Sequence, residues 1–225
     1  MERNVIVTGD GSTTIHLSEW DEHYHSKHGA IQEAYHVFIE SGLSHLIPTE
    51  TQAAYEITIL EIGFGTGLNA LITYLESKKK NLKISYVGVE AYPVSLREIE
   101  QLNYSEALQV DKKVLQLMHE VSWGKPLIIS EQFQLTKLNK RFETIDDKEQ
   151  FQLIYFDAFG ARVQPELWTE AIFEKMYQAL KADGVLVTYS AKGSVRRAMQ
   201  AVGFKVEKLP GPPGKREMLR ATKGI

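Results

Sequence analysis

The stretch EIGFGTGLN, Glu61 to Asn69, constrains the fold of this chain more than any other. Four apolar or β-branched residues, Ile57 to Leu60, lead into an acid, Glu61. Three glycines, Gly63, Gly65 and Gly67, follow at alternate positions before an amphipathic run begins. A buried strand, a turn that a Cβ would obstruct, and a helix starting with free backbone N–H groups form the opening unit of a doubly wound sheet.

The rest of the chain repeats that alternation. Strands are expected at Ile57–Glu61, Ile84–Glu90, Phe133–Leu138, Leu153–Asp157, Gly184–Ser190, Phe204–Lys208 and Glu217–Thr222, and helices at Gly67–Ser77, Pro93–Asn103, Pro165–Lys181 and Gly193–Val202. Short apolar runs alternating with longer stretches of three- and four-residue periodicity predict an α/β, Rossmann-like, seven-stranded and mainly parallel sheet with helices on both faces. Residues 104–130 are less regular, and a helix plus a short added strand is expected there. Residues 1–55 read as an N-terminal extension, a hairpin followed by a helix leading towards the sheet, ahead of a 56–225 domain.

Composition narrows the chemistry. Without cysteine there are no disulfides, thiolate metal sites or thiol nucleophiles, which suits a reducing cytoplasm. No run approaches the roughly 20 apolar residues of a membrane helix, so neither secretion nor membrane insertion is expected. The net charge of −3 is uneven: Ala191–Ile225 holds nine lysines and arginines against two glutamates.

Glycine spacing and the acids in register with it discriminate between ligands. Dinucleotide sites use G-x-G-x-x-G, whereas this loop is G-x-G-x-G with Glu61 two residues before it, an awkward neighbour for a pyrophosphate. S-adenosyl-L-methionine instead brings an ammonium and a sulfonium, so Glu61, Gly63, Phe64, Gly65, Thr66, Gly67 and Asn69 are the expected cofactor loop. Glu90 ends the second strand, where an acid accepts ribose hydroxyls, and Ala91 and Tyr92 follow beside the expected adenine.

The fourth strand ends at Asp157, on the same carboxyl edge, making it the candidate catalytic residue as well as a cofactor neighbour. Methylating an amine requires a neutral nitrogen, its lone pair aligned with the S–CH₃ bond, and removal of a proton. Phe156 and Trp168 are assigned to the core and Phe159 to the ligand wall. Tyr189 and Ser190, at the end of the fifth strand, border the substrate. His23, His25 and His28 lack a third ligand at convincing spacing, and no metal is expected.

Read together, DAFGARVQPELWT from Asp157, LVTYSAKGSVRRAMQAVGF, PGPPGKREM, EIGFGTGLN, VGVEAYP and YHSKHGAIQEAYHVFIESGL resemble the methyltransferase half of the bifunctional tRNA 5-methylaminomethyl-2-thiouridine biosynthesis proteins. The resemblance implies S-adenosyl-L-methionine-dependent N-methylation of 5-aminomethyl-2-thiouridine at the tRNA wobble position. It also implies contact with the anticodon stem-loop and a separate enzyme that supplies the aminomethyl substrate. Because the chain ends at Ile225, no flavin-dependent oxidase half is expected. Within the resemblance, Lys192, Arg196, Arg197, Lys215 and Arg216 meet tRNA phosphates, a salt-dependent interaction, and the N-terminal extension lies near the active-site entrance, making Tyr24, Ser26 and Glu33 candidate cofactor or substrate contacts. The third strand, QFQLTKLNKRF, departs from the pattern by lacking a Gly-Asp pair for adenine. Three classes stay open at this level: the tRNA amine methyltransferase, a methyltransferase for small-molecule or protein amines, and an inactive cofactor- and RNA-binding module. A nicotinamide oxidoreductase is disfavoured by the glycine spacing.

Overall fold

The computed structural model describes residues 2–47 and 55–224. The boundary between 1–55 and 56–225 follows directly on residues 48–54, which lie outside the described residues.

Eight strands form the main sheet: β4 (Tyr55–Ile62), β5 (Leu82–Val89), β6 (Pro126–Ser130), β7 (Phe133–Leu138), β8 (Phe151–Phe156), β9 (Leu180–Thr188), β10 (Lys205–Pro210) and β11 (Glu217–Thr222), in the order β10-β11-β9-β8-β4-β5-β7-β6. The seven expected strands are all present, and β6 is the added one, antiparallel to β7 at the edge. The central pairings β9-β8, β8-β4, β4-β5 and β5-β7 are parallel, while β11 runs antiparallel to both neighbours. The chain reverses sheet direction at β4, between β8 and β5, which leaves a crevice above the carboxyl ends of those strands. Ile57, Ile59, Tyr86, Leu135 and Leu153 face one core layer, and Leu60, Ile62, Ile154, Phe156 and Leu186 the other. This strict alternation is what a sheet covered on both faces requires.

The N-terminal residues form the hairpin β1 (Arg3–Val7) and β2 (Thr13–Leu17), with β3 (Glu22–His23) beside it. A helix then runs through Ala30–Ala34, a π-helical stretch Tyr35–Leu43 and Ser44–Leu46. Within the wide stretch, the Ser41 hydroxyl donates to the His36 carbonyl at 2.9 Å. Gly42 lets this helix sit tightly on the sheet, since a Cβ there would come 3.0 Å from Val187. Val37, Phe38 and Leu43 share the core of the main sheet, so the segment is an integral layer of the packing.

Two helices differ from expectation. The helix foreseen at Pro93–Asn103 is one turn, Leu96–Ile99, and a reciprocal capping box between Ser95 and Glu98 sets its start three residues after Pro93. Tyr104–Ala107 and Lys112–Glu120 follow as separate helices. The helix foreseen at Pro165–Lys181 is interrupted: Pro165–Trp168 is a 3₁₀ turn and Thr169 is extended, leaving Glu170–Ala179 helical. The Trp168 indole N–H donates to the Phe159 carbonyl at 2.7 Å and draws the turn toward the β8 loop. β9 consequently begins at Leu180, four residues before Gly184.

Candidate active site

The glycine loop folds back on neighbouring strands. Gly63 and Phe64 both donate to the Val89 carbonyl at 3.0 Å, and Asp157 N–H donates to the Ile62 carbonyl at 2.9 Å, tying the ends of β4, β5 and β8 together. Gly63 has φ +90°, and a Cβ there would stand 2.7 Å from the Asp157 carbonyl oxygen. No other residue type fits that contact at that backbone angle.

Above this corner lies a cavity of about 830 Å³. Of the residues expected at the site, Gly63, Gly65, Glu90, Ala91, Tyr92, Asp157, Phe159, Tyr189 and Lys215 line it. Glu90 is held by two backbone donors, Gly65 N–H at 3.0 Å and Tyr92 N–H at 2.8 Å, one to each carboxylate oxygen. Each oxygen keeps a further acceptor direction.

Beneath the cavity, the Asn69 amide nitrogen donates to Glu61 at 2.9 Å and to Asp157 at 2.8 Å, bridging the two carboxyl groups. Glu61 Oε2 and Asn69 Oδ1 are buried without a hydrogen-bond partner. Burial, with the charges of Asp157 and Glu90 nearby, pushes the Glu61 carboxyl well above the usual carboxylate range. Burial also raises Asp157, to about 7; Glu33 pushes the same way, while the Asn69 hydrogen bond and Lys215 oppose it. Asp157 is therefore a carboxyl group that exchanges a proton near neutral pH.

Several expected residues stand elsewhere. The Phe64 ring turns away from the cavity and packs under the loop, 5.4 Å from the His119 ring. The Thr66 hydroxyl faces inward to His25 Nε2 at 2.8 Å, and Gly67 is the left-handed residue that opens the helix Leu68–Lys79. Ser190 is buried outside the cavity. Lys192, Arg197 and Arg216 are exposed beyond the cavity and Arg196 is half-buried. Lys215, expected to point outward with them, instead turns inward to form an ion pair with Glu33. Phe156 and Trp168 are buried in the core, whereas Phe159 faces the cavity.

The three N-terminal histidines diverge. His23 stacks on His16 at 4.5 Å, His28 abuts Gly214, and His25 is driven by burial down to about 4, hence neutral. Among the described residues, no group of three or more metal-ligating side chains gathers. None of the described helices is long and apolar enough to cross a membrane.

Tyr24, Ser26 and Glu33, the expected contacts from the N-terminal segment, also line the cavity, together with residues that carry no motif in the sequence. Trp20 and Tyr24 meet Phe159 edge-on at 5.9 and 4.9 Å, forming an aromatic wall. Arg162 clamps that wall, donating to the Trp20 and Asp21 carbonyls and to Glu22 at 2.7–3.0 Å. Arg141, Phe142 and Glu143, just past β7, line the side where the Gly-Asp pair is lacking, and Asn139 donates to the Glu90 carbonyl at 2.8 Å. Their position at the same carboxyl edge is the only signal of them in the sequence.

Comparison with known proteins agrees with this geometry. A family model for S-adenosyl-L-methionine-dependent methyltransferases matches residues 129–224. The tRNA 5-methylaminomethyl-2-thiouridine biosynthesis bifunctional protein MnmC of Idiomarina loihiensis is 30% identical over 214 residues, covering 89% of this chain and 35% of its own length. The chain thus spans about a third of the length of the curated relatives it matches. MnmC2 from Aquifex aeolicus superposes with a TM-score of 0.76 at 25% identity, over 100% of this chain and 71% of that one. Spermidine synthase from Thermotoga maritima shares the fold, with a TM-score of 0.61 at 16% identity over 99% of this chain and 69% of that one. The parallel sheet, the glycine corner and these relatives agree on one architecture, and the chain has the Rossmann-like class I fold of S-adenosyl-L-methionine-dependent methyltransferases.

Proposed function

We propose that this chain methylates the primary amine of 5-aminomethyl-2-thiouridine at the wobble position of tRNA, giving 5-methylaminomethyl-2-thiouridine. The observation that carries the reading is Asp157, a carboxyl raised to about 7 at the base of a cavity flanked by the glycine loop and an aromatic wall. Relatives named for biosynthesis of that nucleoside support this reading of the acceptor.

The residues fit the cofactor. Asn69 Oδ1 is a buried acceptor without a donor beside the buried Glu61 carboxyl, and the ammonium of the methionine moiety brings donors to this pair, directly or through water. Glu90 accepts the ribose hydroxyls on its free acceptor directions, and Ala91 and Tyr92 border the adenine. When bound, S-adenosyl-L-methionine supplies a methyl group activated by its sulfonium. Asp157 orients the acceptor amine and takes its surplus proton; a group that titrates near the working pH is best matched to that task. Phe159, with Trp20 and Tyr24, stacks against the uracil ring, a contact of about 1–3 kcal/mol.

The N-terminal segment, read from the sequence as a 1–55 extension, closes the acceptor side of the cavity through Trp20, Tyr24 and Glu33. The exposed Lys192, Arg197 and Arg216 meet phosphates of the anticodon stem-loop, whose unstacked bases suit recognition by a pocket. A separate enzyme supplies the aminomethyl group.

Transfer of radiolabelled methyl from S-adenosyl-L-methionine to tRNA carrying 5-aminomethyl-2-thiouridine tests the reading. Asp157→Ala is expected to lose transfer while still binding the cofactor. Label appearing in small-molecule or protein amines and not in that tRNA would overturn it.

A further inference from the structure

On the acceptor side of the cavity, one wall residue carries the same chemical group as the proposed substrate. Lys215 enters from the turn between β10 and β11, where Gly214 has φ +82° and rests against the His28 ring. Its ammonium pairs with the Glu33 carboxylate and stands 4.0 Å from the centroid of the Tyr189 ring. Glu33 is only 6% exposed, and its second oxygen accepts from Ser26 N–H at 2.8 Å. The Tyr189 hydroxyl donates to the Ala158 carbonyl at 2.8 Å, which fixes the ring. Glu33, Asp157, Tyr189 and Lys215 all line the same cavity. An aromatic face with two carboxyl groups beside it is a site for a primary alkylammonium.

We propose that Lys215 is a placeholder: Glu33 and Tyr189 form the subsite for the acceptor's ammonium, and the acceptor binds by displacing the Lys215 side chain. The identity of that acceptor rests on the function proposed above.

Three features support the exchange. A buried carboxylate stripped of its partner is strongly destabilising, so Glu33 needs a cation whether or not substrate is bound. Swapping one ammonium for another satisfies that need in both states. Lys215 also has a way out, because its side chain is one-third exposed and its neighbour Arg216 is on the outer surface. Finally, the exchange is selective: an uncharged substituent leaves the Glu33–Lys215 pair closed, and an acidic one is repelled by Glu33 and Asp157.

The test uses Lys215→Met, Lys215→Arg and Glu33→Gln in the full chain, with cofactor affinity as the check that each variant is folded. Propylammonium chloride is titrated into each protein, and KM and kcat are measured with the aminomethyl tRNA. Removing the internal competitor raises the fraction of open sites, so Lys215→Met is expected to bind propylammonium about tenfold tighter. Its KM should fall with little change in kcat, whereas Lys215→Arg, which keeps a cation on Glu33, should not lower KM. Glu33→Gln should lose propylammonium binding and raise KM by about tenfold or more. Propylammonium affinity and KM both unchanged in Lys215→Met, with tRNA still methylated, overturns the placeholder and leaves the proposed function standing. The expected propylammonium pattern in a wild type that methylates no tRNA supports the subsite and overturns the proposed function.

Discussion

The two sides of the cavity differ in how far apart their residues lie along the chain. The glycine-loop side is assembled from the ends of two adjacent parallel strands, β4 and β5, so Gly63, Gly65 and Glu90 lie within 27 positions of one another and are locked by backbone hydrogen bonds. The aromatic side is assembled from Trp20, Tyr24 and Glu33 of the N-terminal segment, Phe159 after β8, Tyr189 after β9 and Lys215 before β11. Side-chain contacts hold it: the Arg162 clamp, the Tyr24–Phe159 edge contact and the Glu33–Lys215 pair. Backbone hydrogen bonds leave the first side little freedom, whereas side-chain pairs let the second admit different occupants. Asp157, bonded by its backbone to one side and titrating under the influence of the other, joins them.

That junction predicts the largest effect. Asp157→Asn should lower kcat by about 10²–10⁴-fold, the usual contribution of a positioned proton acceptor. In the wild type, transfer should rise with pH and level off above about 7, where Asp157 is ionised. The same residue should leave a mark on stability, of known sign. Its folded value lies above the unfolded one, so the folded state keeps a proton that the unfolded state has already released. Stability should therefore fall as pH rises from about 4 to about 7, and Asp157→Asn should flatten that slope in denaturation curves recorded across the range.

Next come the glycines, which separate the two sides directly. Gly63→Ala sets a Cβ 2.7 Å from the Asp157 carbonyl at φ +90°, and should cost about 2 kcal/mol or more in thermal or urea unfolding. Gly160→Ala, on the aromatic side, meets only the Tyr189 hydroxyl at 3.6 Å and should stay within about 0.5 kcal/mol. Equal losses at the two sites would erase the contrast in rigidity.

Glu90→Ala removes a carboxylate proposed to hold the ribose. Titration calorimetry should show cofactor affinity weakened about 10- to 100-fold, the loss expected for hydrogen bonds to a charged group, with affinity for tRNA unchanged. The smallest effect should come from Lys192→Ala with Arg197→Ala. Here tRNA binding should weaken a few-fold and its salt dependence should flatten by about one unit of slope for each phosphate no longer neutralised, with cofactor affinity intact.

This difference between the sides also decides what the sequence makes legible. The sheet is legible because each strand is a short apolar run and each glycine turn is local. Glu61, Glu90 and Asp157 are legible because a residue at the carboxyl end of a parallel strand has one place to point. The helix at Leu96–Ile99 is shorter than its sequence suggests because Pro93 draws the eye before the Ser95–Glu98 capping box, itself readable as S-x-x-E. The break at Thr169 is not readable, since it depends on a Trp168 hydrogen bond nine residues back in the chain. Lys215 reads as part of a basic surface because its partner, Glu33, lies 182 positions away. Charge runs report composition, and only tertiary contact tells an inward lysine from an outward one.

The proposed acceptor is tested most directly by nucleoside mass spectrometry of tRNA from cells that lack this protein. The proposal predicts that 5-aminomethyl-2-thiouridine accumulates at the expense of its N-methylated form, and that Asp157→Asn fails to reverse this while the wild-type chain does. An unchanged nucleoside profile would contradict it.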